Sequence, residues 1–333
     1  MIAIGTRFSR AAWVVVVVLC LGNVHAAETD QYMTWGVILK DSSEAINAHV
    51  NAEIESFLAE MNAEEKTPCT PENVTRKIYL HLFKGLHASQ FRNWLHHSSA
   101  VDRYPDSSVS HFRYERMSIY RARSFPYMLP LSRTVRLGDV YCGTDKFGHF
   151  FGFGRRYYNQ YLRLRTFGKT ENDAMEQIIR DGLRRERVTV GGLVDGIVSY
   201  ADIEAGFQGF LMARDLCGGE KPFLKLENGK WTMVRPIDMR QYVVPDFDES
   251  FNPSHYQALR KRFVLPLLER EYRDKMALPE VQARFAQYKL REPSFCRQTI
   301  QAYLGERKKN PQRDQHLRAF GVEPGCMSSC ASQ

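Results

Sequence analysis

Apolar side chains recur every fourth position in "SSEAINAHVNAEIESFLAEMN", residues 42–62, where Ile46, Val50, Ile54 and Leu58 fall on one stripe. That period predicts an amphipathic helix opened by serines. A second helix is predicted for "ENVTRKIYLHLFKGL", which follows Pro71. Residues 99–142 lose the period, and Pro105, Pro126 and Pro130 predict irregular chain. "TDKFGHFFGFGRRYYNQYLRL" and "TENDAMEQIIRDGLRRER" restore it as third and fourth helices, the latter capped by Thr170. "VTVGGLVDGIVSY" is β-branched and glycine-bearing, and Asp195-Gly196 predicts a hairpin turn there. "ADIEAGFQGFLMARDLC" is helical up to Gly218, and "PFLKLENGKWTMV" predicts a second hairpin turning at Asn228-Gly229. "YVVPDFDESFNPSHY" predicts a loop, and 254–318 is helical and highly charged.

The pattern predicts a mainly α (α+β) chain, a helical globular domain with a small β-hairpin element. Its expected organisation is a leader over 1–26, a main helical domain over 27–253 with the site region at 140–255, and a C-terminal helical layer over 254–333. The leader reading rests on Arg7 and Arg10, the apolar run from Ala11 to Leu21, and Val24-His25-Ala26 as a cleavage point. The run is shorter than the roughly 20 residues a span requires. A periplasmic or secreted protein is expected, with no stable membrane span after cleavage.

Charge adds a partner class. The formal net charge is +8, or +6 without Arg7 and Arg10. This excess suits peptidoglycan or another anionic envelope polymer. No Lys/Arg block with interleaved aromatics occurs, so nucleic acid is not expected. Six cysteines follow the leader, Cys69, Cys142, Cys217, Cys296, Cys326 and Cys330. An even number in an exported chain predicts disulfides, and no CxxC pair suggests zinc instead.

Four polar residues stand out among apolar and small neighbours: Asp145, His149, Glu186 and Asp202. Asp145 and His149 lie one turn apart on one helix face, Glu186 closes a helix, and Asp202 opens the next after Ser199. Each has an ordinary reading as a helix-end acid, a buried histidine or an arginine partner. Together they suggest a cleft, because such groups are costly to bury without compensation. One histidine and three carboxylates could hold zinc or manganese, but a single histidine disfavours a zinc catalytic site, and neither metal nor cofactor is expected. The chain carries no G-x-S-x-G, H-E-x-x-H or G-x-x-x-x-G-K-[ST]. His81, His87, His96 and His97 are expected on an amphipathic helix surface.

"GTDKFGHFFGFGRRYY", "SYADIEAGFQGF" and "FDESFNP" resemble an uncharacterised family of exported proteobacterial proteins with D-K-x-G-H-F-F, S-Y-A-D and W-D-E-x-x-N-P segments. This chain departs with Gly206 in place of asparagine and Phe247 in place of tryptophan. The motifs add Ser199, Tyr200, Asp248, Glu249 and Asn252 as candidate substrate contacts. The order of helix-ending glutamate, glycine-bearing hairpin and D-x-E-A-G-x-x-G-F-L is similar to that of lysozyme-like muramidases. That likeness implies Glu186 as a general acid, with Asp202 or Asp145 as the second carboxylate. The D-x-x-x-H helix also resembles VanZ-like membrane proteins, which implies a structural or ligand-binding cluster instead. The expected function is therefore a peptidoglycan-cleaving glycosidase, with a non-catalytic envelope binding or scaffold protein as the alternative.

Overall fold

The structure is a computed structural model that describes residues 27–64, 68–83, 90–121, 130–192 and 196–308. The expected leader, Asp195, His87, Cys326 and Cys330 lie outside the described residues.

Ten α-helices and several two- and three-stranded sheets make up these residues: a mainly helical protein with small β elements. In chain order the helices are α1 (Ser43–Glu64), α2 (Pro71–Leu82), α3 (Gln90–His97), α4 (His111–Met117), α5 (Lys146–Thr166), α6 (Glu171–Arg185), α7 (Tyr200–Cys217), α8 (Ala258–Tyr272), α9 (Pro279–Lys289) and α10 (Phe295–Lys308). On α1, Ile46, Val50, Ile54 and Leu58 are all buried. Helix α6 starts as expected, with the Thr170 side chain accepting from the Asp173 N–H. No helix among the described residues is long and apolar enough to cross a membrane.

Helices α5 and α7 form the centre of the molecule and approach closely. A Cβ added at Gly209 would lie 1.9 Å from the Phe150 carbonyl oxygen, and one at Gly154 would lie 2.7 Å from the Gly209 carbonyl carbon. These two glycines let the helix backbones touch, whereas Gly148 and Gly152 face Phe83. Helices α6 and α10 pack onto this pair, and Tyr288, Cys296 and Ile300 share one apolar core with α1, α5 and α7.

Two stretches differ from the sequence reading. Within 99–142, β2 (Arg103–Tyr104), β4 (Thr134–Leu137) and β5 (Val140–Gly143) form an antiparallel sheet in the order β2-β4-β5. Val135, Leu137, Val140 and Cys142 are buried, so the alternation was there, turning at Gly138 with its φ of +60°. The prolines lie outside these strands and obscured them. The predicted hairpin over 188–200 does not form. Glu186–Val190 continues α6 as a π turn, and β6 (Ile197–Val198) pairs with β9 (His255–Tyr256) far along the chain. Long-range pairing overrode the local turn signal here. The second hairpin, β7 (Leu224–Glu227) with β8 (Lys230–Met233), turns at Asn228-Gly229 with both φ angles positive. A short parallel pair, β1 (Glu28–Thr29) with β3 (Leu131–Ser132), anchors the start of the described chain.

The disulfide expectation is corrected as well. No disulfide links Cys69, Cys142, Cys217 and Cys296, the cysteines among the described residues. Cys142 lies in the β-sheet and Cys296 on α10 beside Glu204, and both are fully buried. They serve as small apolar core residues.

Candidate functional site

The junction of β5 and α5 carries the sequence "GTDKFGH". Asp145 occupies the N-cap position of α5 but makes no capping bond with its side chain. Its carboxylate instead accepts from Thr29 Oγ1 at 2.5 Å and from Lys146 Nζ at 2.6 Å. Gly143 permits this approach, since a Cβ there would fall 2.2 Å from both Asp145 Oδ1 and Thr29 Oγ1.

Lys146 is the centre of the constellation, and its side chain is fully buried. Its ammonium donates to Asp145 Oδ2, Asp202 Oδ1 and Glu249 Oε1, each at 2.6 Å. These acids come from the start of α5, the start of α7 and the 245–252 loop. Asp202 is placed by its own helix cap, because Ser199 Oγ accepts from the Asp202 N–H at 3.2 Å. The same hydroxyl donates to Glu249 Oε1 at 2.8 Å. The Glu249 N–H donates to Gln31 Oε1 at 2.6 Å, which ties the loop to the start of the described chain. His149 Nε2 lies 3.2 Å from Asp202 Oδ2, and its ring stacks on Phe153.

Three carboxylates around one ammonium leave this buried centre net negative, and Glu28, also buried, adds to the charge around Lys146. Burial alone would lower the lysine pKa, but the surrounding acids outweigh it and hold the ammonium well above its ordinary range. Burial likewise pushes Asp145 up, and Lys146, His149 and Thr29 together hold it below the ordinary carboxylate value. Glu249 goes the other way: burial, Asp202 and Asp145 push it up to about 7 against the pull of Lys146.

The structure thus brings Asp145, His149, Asp202, Ser199 and Glu249 together. Glu186 stands one link away. It is buried in the π turn, and its Oε1 accepts from the Ser199 N–H at 3.3 Å. Tyr200 is half-buried beside Arg187. Asp248 and Asn252 serve their own loop: Asp248 accepts from the Ser250 N–H and hydroxyl and from Tyr288, and Asn252 donates to the Asp246 carbonyl. Gly206 faces Phe153 and Tyr157, an apolar position where an asparagine would have no room. Sequence reasoning missed Lys146, Thr29 and Gln31. The signal for Lys146 was its place on the α5 stripe with Phe150, Gly154, Tyr157 and Tyr161, all buried.

Asp145, His149 and Asp202 offer ligand atoms within 4.8 Å of one another, a spacing open to a metal ion. The lysine ammonium, however, already supplies the positive charge between Asp145 and Asp202. Comparison with family models, curated proteins and solved structures finds no match for this chain, so its reading rests on this geometry.

Proposed function

We propose that the protein is a non-catalytic binding or scaffold protein of the cell envelope, in which the Asp145–Lys146–His149–Asp202–Glu249 centre is structural. One observation carries this reading: every N–H of the Lys146 ammonium is taken by a carboxylate, and the three acids belong to three separate segments. Such a centre fixes how α5, α7, the 245–252 loop and the β1 segment meet, and it leaves the ammonium no donor for a substrate. Its carboxylates are at most 5% exposed, too closed for a polysaccharide strand. The envelope setting comes from the leader-like first residues and the basic excess. The test is incubation of the purified chain with purified peptidoglycan. Sedimentation with the polymer and no release of soluble fragments is expected. Catalytic release of fragments would overturn the reading.

A peptidoglycan glycosidase is the second reading, and one observation favours it. Glu249 is pushed up to about 7 while Asp145 is held down, the division of labour between general acid and ionised partner that glycoside cleavage uses. On that reading the acid is Glu249 rather than Glu186, because its raised value keeps it partly protonated near neutral pH. Fragment release abolished by Glu249→Gln, with folding intact, would establish it.

A further inference from the structure

A second polar site borders the β1–β3 pair. A cavity of about 350 Å³ is lined by Arg92, Asn93, His96 and His97 of α3, by Ser107 and His111, and by Ala27 and 130–133. Its floor includes Leu131 and Ser132, which pair in register with Glu28 and Thr29. Thr29 in turn reaches Asp145. Two arginines and three histidines therefore face one space, and no carboxylate belongs to the lining among the described residues. His96 and His97, adjacent on a helix, both reach it because the cavity spans the last turn of α3. The helix surface expected of His96 and His97 is a concave one, whereas His81, expected there too, is buried beside Glu53.

Arg133 is held rigidly. Its guanidinium donates to the backbone carbonyls of Pro105, Asp106 and Val109. Those acceptors fix its position without themselves carrying a neutralising charge. The nearby acid, Asp106, accepts from the Ser108 N–H at 2.8 Å and also feels the Arg133 charge, but it is not part of the cavity lining. Burial first, and then the nearby Arg92, Arg133, Arg103 and His97, push His96 down to about 4, so its imidazole is neutral near pH 7 and can donate one N–H. Guanidinium charges gathered at a concave space attract an anion.

We propose that this cavity binds a phosphoryl group, through Arg92, His96, His97 and His111 with Arg133 supplying fixed charge. Phosphate is the anion suited to several convergent N–H donors and a rigid guanidinium, and the volume accommodates one phosphoryl group with a small organic substituent. The group could be delivered by an anionic lipid headgroup or by a soluble phosphate ester. The proposal names the ligand site of the binding protein argued above, and it rests on that reading only for the envelope setting.

The test uses the full purified chain, with inorganic phosphate in a calorimetric titration and with vesicles of phosphatidylglycerol in phosphatidylcholine against phosphatidylcholine alone. Phosphate should bind, and His96→Gln and Arg92→Gln should each weaken binding about tenfold, the loss of one charge-assisted hydrogen bond. His97→Gln and His111→Gln, at exposed positions, provide variants whose folding is safe, checked by circular dichroism. Phosphate that binds, weakened in the variants, with no binding to either kind of vesicle supports the site with a soluble ester as ligand. Binding to phosphatidylglycerol vesicles alone, lost in the variants, supports it with a headgroup as ligand. No binding to either probe, or binding indifferent to all four substitutions, overturns the proposal. A chain that sediments with peptidoglycan yet ignores both phosphate probes would remove the pocket and leave the binding-protein reading standing.

Discussion

Lys146 and Arg133 are both cations held in place by oxygen acceptors, and the acceptors differ in kind. Lys146 meets three carboxylates, whereas Arg133 meets three backbone carbonyls. A carboxylate cancels the charge it holds; a carbonyl positions the charge and lets its field extend. The lysine is therefore spent inside the fold, and the arginine remains available to an anion outside it. The two sites both involve the β1–β3 pair, with Thr29 reaching one and its register partner Ser132 lining the other. The difference teaches that a cluster of ionisable residues becomes a binding site according to what balances it. In the sequence-conspicuous cluster around Asp145 the cation is met by carboxylates of the cluster itself, whereas Arg133 beside the histidines is met by backbone carbonyls.

The strongest way to break this comparison is Lys146→Met. Three buried carboxylates would then face one another without their cation, and removing one partner of a buried ion pair costs about 3–5 kcal/mol. Urea unfolding at neutral pH should show that loss or failure to fold, with partial recovery in acid as the carboxylates take up protons. Arg133→Met removes hydrogen bonds to carbonyls but strands no carboxylate, so its cost should be clearly smaller. Equal costs for the two variants would contradict the distinction between spent and projected charge.

A smaller effect is expected from pH. Five buried acids have raised values: Glu249 and Glu204 at about 7, Asp30 at about 6, and Asp246 and Asp248, also above the ordinary carboxylate range. Burial is the largest cause in each case. In the folded chain they hold protons that the unfolded chain has released, so the native state binds more protons between their ordinary values and the raised ones. Stability then falls as pH rises through that window, from about 4 to about 7. Asp145, held low, contributes in the opposite sense and only at more acid pH. Unfolding free energies measured from pH 4.5 to 8 should decline by a few kcal/mol, and Glu249→Gln, which mimics the protonated acid, should flatten the curve. A flat wild-type profile would mean that the centre is not as closed as its geometry indicates.

Much of the helical frame was legible because burial follows a simple period. Ile46, Val50, Ile54 and Leu58 face the core as their spacing requires, and Thr170, Ser199 and Asn228-Gly229 act at the ends and turns they mark. What escaped was set by distant chain. Nothing local to Ile197 says that it pairs with Tyr256, and nothing local to Asp145 says that Thr29 will reach it. Lys146 was passed over because a lysine is by default a surface residue, although its neighbours at four-residue intervals are all buried. Glu249 came from the motif resemblance rather than from any period. The cavity at His96 and His97 was illegible because its other wall comes from residues 107–111 and 130–133.

Ser199 gives a finer measure of the ionic centre, because the same capping bond occurs elsewhere without it. Ser199 Oγ accepts from the Asp202 N–H at 3.2 Å, and Thr170 Oγ1 accepts from the Asp173 N–H at 3.2 Å. Thr170 caps an exposed helix start, so Thr170→Ala should cost about 1 kcal/mol, the ordinary value of a cap. Ser199→Ala loses the same cap and also the bond to Glu249, leaving a buried carboxylate with one donor fewer. The excess of its cost over Thr170→Ala should be about 1–2 kcal/mol, and it should shrink in acid as Glu249 is protonated. No excess at neutral pH would show that Lys146 alone holds Glu249.

The smallest stability effect belongs to the open site, and its smallness is the point. His97 and His111 are exposed, and among the described residues no carboxylate lines the cavity with them. Substituting glutamine at either removes neither a core contact nor an ion pair, so the unfolding free energy should stay within about 0.5 kcal/mol of wild type. In the closed centre, by contrast, stability and chemistry are one property, and no substitution there can change one alone. If the cavity binds phosphoryl groups, His97→Gln and His111→Gln must separate the two, weakening phosphate binding while the denaturation curve stays in place. Added phosphate should raise the melting temperature of the wild type, since a ligand that binds the folded state stabilises it by mass action. It should do so less for the variants. A large loss of stability from either substitution would mean that these side chains support the fold, and the contrast between a spent charge and an available one would then fail on its weaker side.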